Sequence, residues 1–133
     1  MGARVVVRTA GEGRLTNEVL VGGHRLWADE PAVAGGADRG PSPFEYLMAG
    51  LGACTSMTLR MYAARKGWDL RAVEVTLERV PLEGEGPGNE VRRAIRLEGD
   101  LDADQRKRLL EIAGKCPVHR ALTEGVRVVT REG

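Results

Sequence analysis

Alternating hydrophobic and polar positions predict six β-strands, in two groups separated by a long apolar segment. Three short strands precede it, at residues 3–9, 15–21 and 24–29, and the first two should form a hairpin. Two longer strands at residues 70–82 and 90–98 follow it, with a polar tip between them that predicts an antiparallel return. A closing strand is expected at residues 126–131.

The apolar segment between the two groups predicts one long helix at residues 44–66. Ser42 suits the N-cap and Pro43 the first helical position, while Glu45 completes a capping box. Gly67 suits the position after the C-cap. The helix would be about 35 Å long at about 1.5 Å per residue, comparable to the diameter of a small domain. We therefore expect it to be the central element.

Two stripes along this helix predict how it packs. Apolar side chains at spacings of three and four should form its buried face: Leu47, Leu51, Cys54, Met57 and Met61. Small residues that allow another backbone to approach form the second stripe: Ala49, Gly52, Ala53 and Ser56. Because no other segment is long enough to be the partner helix, we expect a second copy of the chain, and hence a homodimer.

A shorter helix is predicted after the long strands. Asp102 can cap a helix that runs to Lys115, and Pro117 begins a further helical turn. The first of these should bury four apolar side chains: Leu109, Leu110, Ile112 and Ala113. Strands and helices together predict an α+β fold, and the absence of a linker predicts one domain over residues 1–133.

Composition excludes several classes of function. A net charge of +1 and an aromatic fraction of 4% argue against a nucleic-acid partner, because they predict neither a basic surface nor a stacking platform. The N-terminal residues lack a signal-peptide core, and the apolar run at residues 44–57 is too short for a membrane span. We therefore expect no membrane association and a cytoplasmic location.

The chain has two cysteines, in different local settings. Cys116 precedes Pro117 and can cap the turn that follows, where helix N–H groups and the cations of His119 and Arg120 would stabilise a thiolate. Cys54 lies mid-helix among apolar residues, a setting that disfavours ionisation unless a cation comes from elsewhere. Local sequence alone therefore makes Cys116 the more readily ionised thiol.

Several interpretations of the cysteines compete. Cys54 could be a small core residue. A zinc site with His24 and His119 is disfavoured, because neither cysteine belongs to a Cys-x-x-Cys motif and the histidines lack ligand spacing. We expect no metal and no cofactor. A permanent disulfide would not suit a reducing cytosol, which leaves a redox-active pair.

The segments GPSPFEYLMAGLGACTSMTL and CPVHRAL, with the order of elements above, resemble the OsmC/Ohr family of thiol-dependent hydroperoxide reductases, and in particular its OsmC-like branch. The resemblance implies an intertwined homodimer whose antiparallel sheets wrap around two central helices. It also implies that Cys54 is the peroxidatic thiol and Cys116 the resolving thiol. By the same resemblance, a small dithiol such as a lipoyl group would reduce the oxidised pair.

The resemblance further implies an arginine and a glutamate near the peroxidatic sulfur. Glu45 is the candidate acid. It lies nine positions before Cys54, which corresponds to about 13 Å along a helix, so it cannot touch Cys54 of its own helix. It would act across the dimer or through a bent helix start; a capping role is the alternative. Arg14 and Arg39 are the candidate arginines, with Arg14 slightly favoured; ordinary solvated arginines are the alternative.

Function hypotheses from three classes follow. The leading one is a cysteine-based peroxidase that prefers organic hydroperoxides. The others are a protein that binds a small apolar ligand at the dimer interface, and a metal-binding module. The separation of the Cys54 and Cys116 sulfurs distinguishes the first from the others, because an internal disulfide cycle requires the two to meet.

Overall fold

The computed structural model describes residues 4–133 and begins with a three-stranded antiparallel sheet. Its strands are β1 (Val5–Thr9), β2 (Asn17–Val21) and β3 (His24–Ala28), in that order. The register places Val19 opposite both Val7 and Leu26. The three strands predicted here are confirmed; residue 3, the predicted start of the first, lies outside the described residues.

A buried carboxylate organises the loop that follows β3. Asp29 is 2% exposed and accepts a hydrogen bond from the Thr16 hydroxyl at 2.8 Å. It also accepts backbone N–H groups across the loop, from Glu30 at 2.8 Å, Arg39 at 3.2 Å and Ala37 at 3.4 Å. Buried carboxylates need such donors. Residues 30–39 are thus folded back around one side chain.

The long helix α1 (Pro43–Lys66) begins and ends where its capping residues predict. The Ser42 N–H donates to the Glu45 carboxylate at 2.8 Å, and the Glu45 N–H donates to the Ser42 hydroxyl at 3.3 Å, which is the expected capping box. At the other end Gly67 has φ 69°, and the Trp68 N–H returns to the Ala63 carbonyl at 2.9 Å. Both predicted ends of the helix are confirmed.

A two-stranded antiparallel sheet follows α1. β4 (Asp69–Pro81) and β5 (Asn89–Asp100) form the long hairpin that the alternating pattern predicts. Val73, Val75 and Leu77 are half-buried on the same face, while their neighbours along β4 are exposed. The period of two is therefore the pattern of a sheet with one covered face.

The buried face of α1 differs from the predicted one. The side chains it buries are spaced by four residues: Leu51, Thr55, Leu59 and Ala63. Leu47, Met57 and Met61 were expected on the buried face, yet they are 43%, 59% and 68% exposed. The helix is apolar on more than one side, so spacing alone did not identify which side the rest of this chain covers.

The small residues of α1 also need a correction. A side chain on Gly52 would lie 2.9 Å from Leu77 Cδ1, so this glycine allows α1 to approach strand β4 rather than a second helix. Ala49 and Ala53 are exposed, and Ser56 is half-buried. Only the exposed members of the predicted stripe are available to another helix.

Two shorter helices complete the structure: α2 (Ala103–Ala113) and α3 (Pro117–Glu124). Asp102 and Gln105 form a capping box at the start of α2. The main core joins α1, α2 and the segment after β5 through six buried residues: Leu59, Ala63, Leu101, Leu109, Ile112 and Ala113. Leu110, also predicted to be buried, is 53% exposed because it lies on the outer side of α2.

The closing strand predicted at residues 126–131 is not formed. Residues 125–133 have no regular secondary structure, and Val126, Val128 and Val129 are exposed. Within residues 4–133 this segment pairs with neither sheet. A strand requires a hydrogen-bonded neighbour, so its alternating sequence alone does not produce one.

The elements define an α+β fold with two antiparallel sheets, as predicted. The chain divides into two compact units, the first ending at Leu47 and the second beginning at Met48. That residues 1–133 form one domain stays a prediction. Among the described residues, no helix combines the length and the hydrophobicity needed to cross a bilayer.

Replacing Asp29 with asparagine should lower the free energy of unfolding at neutral pH. All four partners of Asp29 are donors, so the new amide NH2 group would face a donor. Burial acts to raise the pKa of Asp29, but the hydrogen bonds from Thr16 and the loop amides bring this pKa below its ordinary value of 3.8. The carboxylate therefore stabilises the fold above that value, and its contribution disappears as pH falls through the lower folded-state pKa.

Thermal unfolding of parent and Asp29→Asn proteins, measured from pH 7 into acid, checks this prediction. The difference in midpoint should be largest at neutral pH and shrink on acidification. Glu85→Gln, at the exposed tip of the β4–β5 hairpin, should leave the midpoint unchanged at every pH. Equal midpoints for parent and Asp29→Asn at pH 7, or a difference that grows in acid, would contradict the assignment.

Candidate active site

Cys116 lies at the N-terminus of α3, as predicted. It is the N-cap residue, Pro117 occupies the first helical position, and the His119 N–H donates to Cys116 Sγ at 3.3 Å. The cysteine is fully buried, with 0% of its surface exposed. Its sulfur therefore takes the place that a serine or aspartate oxygen usually has in a helix cap.

Cys54 reaches the same end of α3 from the middle of α1. It is half-buried, and the Val118 N–H donates to its Sγ at 3.5 Å. Two sulfurs that are distant in sequence thus accept hydrogen bonds from two consecutive amides. Both cysteines are free thiols. The structure brings together the pair that the sequence predicted.

The N-terminus of α3 places backbone N–H groups beside both sulfurs. Unpaired N–H groups and the helix dipole give this end a partial positive charge, and the thiolate is the reactive form of cysteine. Cys54 shares this environment through Val118, although it lies mid-helix on α1. The stabilising group that its local sequence lacked is therefore supplied in part by α3.

Arg93 connects the three elements that surround the thiols. From β5, its Nη1 donates to the Thr55 hydroxyl at 3.0 Å and to the Ala113 carbonyl at 3.4 Å. Its Nη2 lies 3.1 Å from His119 Nδ1. Thr55 follows Cys54 on α1, Ala113 ends α2, and His119 belongs to α3. One guanidinium thus contacts both the helix that holds Cys54 and the helix that Cys116 caps.

This contact defines the hydrogen-bonding state of the His119 ring. A guanidinium has donors and no acceptor, so Arg93 Nη2 donates and His119 Nδ1 accepts. This contact assigns the acceptor role to Nδ1 and leaves Nε2 as the N–H of the ring. The cation that the structure places in contact with His119 is Arg93.

Sequence reasoning missed Arg93 and Thr55. The signal for Arg93 was present in the alternation of β5, whose half-buried positions include Val91, Arg93, Ile95 and Leu97. A charged residue in an otherwise apolar, inward-facing series must find polar partners. Thr55 had no comparable signal, because a threonine in a helix often bonds back to its own helix, as this one does to the Leu51 carbonyl at 2.7 Å.

The three other predicted site residues belong to the first unit, and their contacts are with its residues. Arg39 forms an ion pair with Glu12, and its guanidinium carbon lies 5.3 Å from the centre of the Trp27 ring. Arg14 is exposed. The Ser42 backbone N–H, followed by its hydroxyl, lowers the pKa of Glu45, as a capping role requires. Their roles at Cys54 stay predictions.

A shallow cavity of about 290 Å³ lies in the first unit. Its lining includes Arg39 and Trp27 together with the triad in which Glu18 binds both Arg8 and Arg25. This charged lining differs from the apolar pocket that the ligand-binding hypothesis requires.

Among residues 4–133, no three His, Cys, Asp or Glu side chains are grouped as metal ligands.

Comparison with known proteins identifies the class. The family model described as OsmC-like protein matches residues 35–131. The chain therefore belongs to the OsmC-like protein family, which confirms the resemblance inferred from its sequence. No curated protein matches the chain.

Solved structures share the fold at low sequence identity. An OsmC-like protein from Mycoplasma pneumoniae has a TM-score of 0.78 at 16% identity, with 92% of this chain and 88% of that chain covered. The organic hydroperoxide resistance protein OsmC from Legionella pneumophila has a TM-score of 0.68 at 21% identity, covering 92% and 89%. The organic hydroperoxide resistance protein OhrB of Bacillus subtilis has a TM-score of 0.62 at 22% identity, covering 91% and 90%.

In the reduced, folded protein, iodoacetamide should modify Cys54 before Cys116. Cys54 is half-buried, whereas Cys116 has no exposed surface, so the reagent reaches only the former without local opening. Mass spectrometry of peptides from quenched samples gives both rates, and protein unfolded in denaturant is the control in which the preference should vanish. Faster modification of Cys116 would contradict the described burial and agree with the order suggested by local sequence.

Proposed function

We propose that this protein is a thiol-dependent peroxidase that reduces organic hydroperoxides through Cys54 and Cys116. The observation that carries the proposal is the pair of sulfurs on consecutive amides of α3, Val118 and His119. Membership of the OsmC-like family, with structural neighbours named for organic hydroperoxide resistance, supports a peroxide-related role.

In the first step the Cys54 thiolate attacks the distal oxygen of the hydroperoxide. An S–O bond forms, the O–O bond breaks, and the leaving alkoxide takes a proton to become an alcohol. The sulfur is oxidised to a sulfenic acid and the peroxide is reduced. The Val118 N–H, which bonds Cys54 Sγ, stabilises the thiolate before attack.

In the second step Cys116 resolves the sulfenic acid. Its thiolate attacks the Cys54 sulfur, the S–O bond breaks, and hydroxide leaves as water, which gives a disulfide. The two sulfurs must approach to about 2.05 Å to form this bond. A small dithiol or lipoyl-type reductant then transfers two electrons and two protons, which restores both thiols.

Exposure favours this division of roles between the thiols. A hydroperoxide must contact the nucleophile, and Cys54 is half-buried whereas Cys116 is fully buried. Attack from within the protein, in contrast, requires no access from solvent. The roles implied by the family resemblance therefore agree with the burial of the two thiols.

We also propose supporting roles for residues of the first unit. Arg14 or Arg39 would bring a cation to the Cys54 sulfur, with Arg14 slightly favoured, and Glu45 would orient that arginine while it caps α1. We expect these contacts to form across a dimer. We also expect the protein to be located in the cytoplasm, where dithiols are available.

The proposed dimer is a homodimer built through α1. Its outer side exposes Leu47, Met57 and Met61 together with the small side chain of Ala53. Large apolar side chains on one helix side favour coverage by a partner. Small residues among them would allow a second α1 to approach closely.

Cys54→Ser should abolish consumption of an organic hydroperoxide, since a serine hydroxyl is far less nucleophilic and forms no sulfenic acid. Cys116→Ser should react once, leaving a Cys54 sulfenic acid that a dimedone-type probe labels, and should then turn over poorly or over-oxidise because no internal thiol traps that acid. Peroxide consumption with excess dithiol measures turnover, and mass spectrometry after peroxide and probe are added without dithiol locates the label.

The opposite pattern identifies the other thiol as the nucleophile. Labelling of Cys116 in the Cys54→Ser protein, with loss of peroxide consumption in Cys116→Ser, would reverse the assigned roles. If both variants consume peroxide like the parent, the peroxidase proposal is wrong, and binding of a small apolar ligand becomes the leading function.

Ala53→Leu should weaken the dimer while leaving a lone chain unaffected. Ala53 is exposed in the single chain, so a larger side chain there meets nothing, but in a helix contact it would overpack and cost roughly 1–3 kcal/mol. Sedimentation over a range of concentrations should show a dimer for the parent and earlier dissociation for the variant. Ala103→Leu, at the exposed start of α2, is the control; a stable parent monomer at micromolar concentration would remove the proposal.

A further inference from the structure

Arg93 occupies a position on β5 that an arginine takes only with specific partners. Its neighbours on the inward face of the strand are Val91 and Ile95, and Leu77 of β4 lies opposite it. Removing a guanidinium from water into such surroundings is costly unless its N–H groups are bonded. The acceptors that meet this need should therefore indicate what the residue does.

The three acceptors of Arg93 come from three different helices. They are the Thr55 hydroxyl on α1, the Ala113 carbonyl at the end of α2 and His119 Nδ1 on α3. None of the three is a carboxylate, so the contacts do not form a conventional ion pair. A planar guanidinium can hold several acceptors at fixed angles, which a lysine ammonium cannot do in the same geometry.

The contact with His119 links Arg93 to both sulfurs. The ring of His119 accepts from Arg93, and the backbone N–H of the same residue donates to Cys116 Sγ. The preceding residue, Val118, donates to Cys54 Sγ. Fixing the His119 ring therefore fixes the two amides on which the sulfurs rest.

We propose that Arg93 is a positioning residue for the thiol pair, because its bridge from Thr55 and Ala113 to His119 holds the N-terminus of α3 against Cys54 and Cys116. This inference deepens the proposed function and rests on it for its biological meaning. The physical claim concerns how readily the two thiols meet, so it is tested with a disulfide reagent and no peroxide.

Loss of the bridge should lower the effective concentration of one thiol toward the other. Pre-positioned groups react as if present at high concentration, and freedom of α3 would remove part of that advantage. The reaction with glutathione disulfide is balanced: two protein thiols give one protein disulfide, and the glutathione disulfide becomes two glutathione thiols. Its equilibrium measures the effective concentration directly.

Arg93→Met is the test variant, and Arg96→Met on the exposed face of β5 is its matched control. Equilibration with glutathione buffers should show at least a tenfold lower effective concentration for Arg93→Met, equivalent to a potential about 30 mV less negative. Iodoacetamide should modify Cys116 faster in this variant while the rate at Cys54 does not rise. Arg96→Met should match the parent in both measurements.

Two further variants separate bridging from charge and from general destabilisation. Arg93→Lys keeps the charge and should not restore the parent potential, because one ammonium cannot reach acceptors bonded by Nη1 and Nη2. His119→Phe removes the ring acceptor but keeps the backbone N–H that donates to Cys116, and should reproduce the effect of Arg93→Met. This variant also carries the test if Arg93→Met does not fold.

Several results would overturn the inference. They are a parent-like potential in folded Arg93→Met or His119→Phe, full restoration by Arg93→Lys, equal acceleration of alkylation at both cysteines, and a parent protein that forms no disulfide with glutathione. A protein that shows the expected shift in potential but consumes no peroxide would support the role of Arg93 and contradict the proposed function. The two claims therefore fail separately.

Discussion

A guanidinium on the inward face of a strand has to bond its N–H groups, and the arrangement of the two thiols depends on how Arg93 meets that requirement. Its acceptors lie on three helices, one of them next to Cys54 and another three residues after Cys116. Satisfying one half-buried cation thus brings α1, α2 and α3 together at the place where both sulfurs lie. The close approach of α1 to β4 at Gly52, where a side chain would meet Leu77, belongs to the same packing.

The two thiols illustrate how tertiary structure changes a reactivity inferred from neighbours in sequence. Cys116 has the helix N-terminus that its sequence predicts, but it is fully buried. Cys54 looks unfavourable for ionisation within its own helix, yet Val118 of α3 supplies an N–H group to its sulfur. The helix N-terminus that the sequence assigns to Cys116 therefore donates N–H groups to both sulfurs. This difference in exposure supports the proposed roles, in which Cys54 meets the substrate and Cys116 resolves the sulfenic acid.

Local chemistry predicted most of the fold, and the errors occur where distant or absent neighbours decide. Ser42, Glu45 and Gly67 defined both ends of α1, because caps depend on residues within one turn. The covered side of α1 could not be derived the same way, since Met57 and Met61 are as apolar as Leu51 and Leu59. The strand expected at residues 126–131 needs a partner that its own alternation does not supply. Within the site, the sequence alone was enough to single out the two cysteines. Arg93 could have been found only by noticing that it is the one charged residue among the inward-facing positions of β5.

The central claim is that Cys54 and Cys116 form one redox site that peroxide oxidises. Titration of the reduced protein with an organic hydroperoxide, in the absence of any reductant, tests it most directly. Free thiols are counted after each addition, and the oxidised cysteines are located by mass spectrometry. If the two cysteines form one site, one equivalent of peroxide per chain should remove both thiols, yield one equivalent of alcohol and produce a disulfide that joins Cys54 to Cys116. Retention of both thiols under excess hydroperoxide, or a disulfide that joins cysteines of different chains, would contradict it.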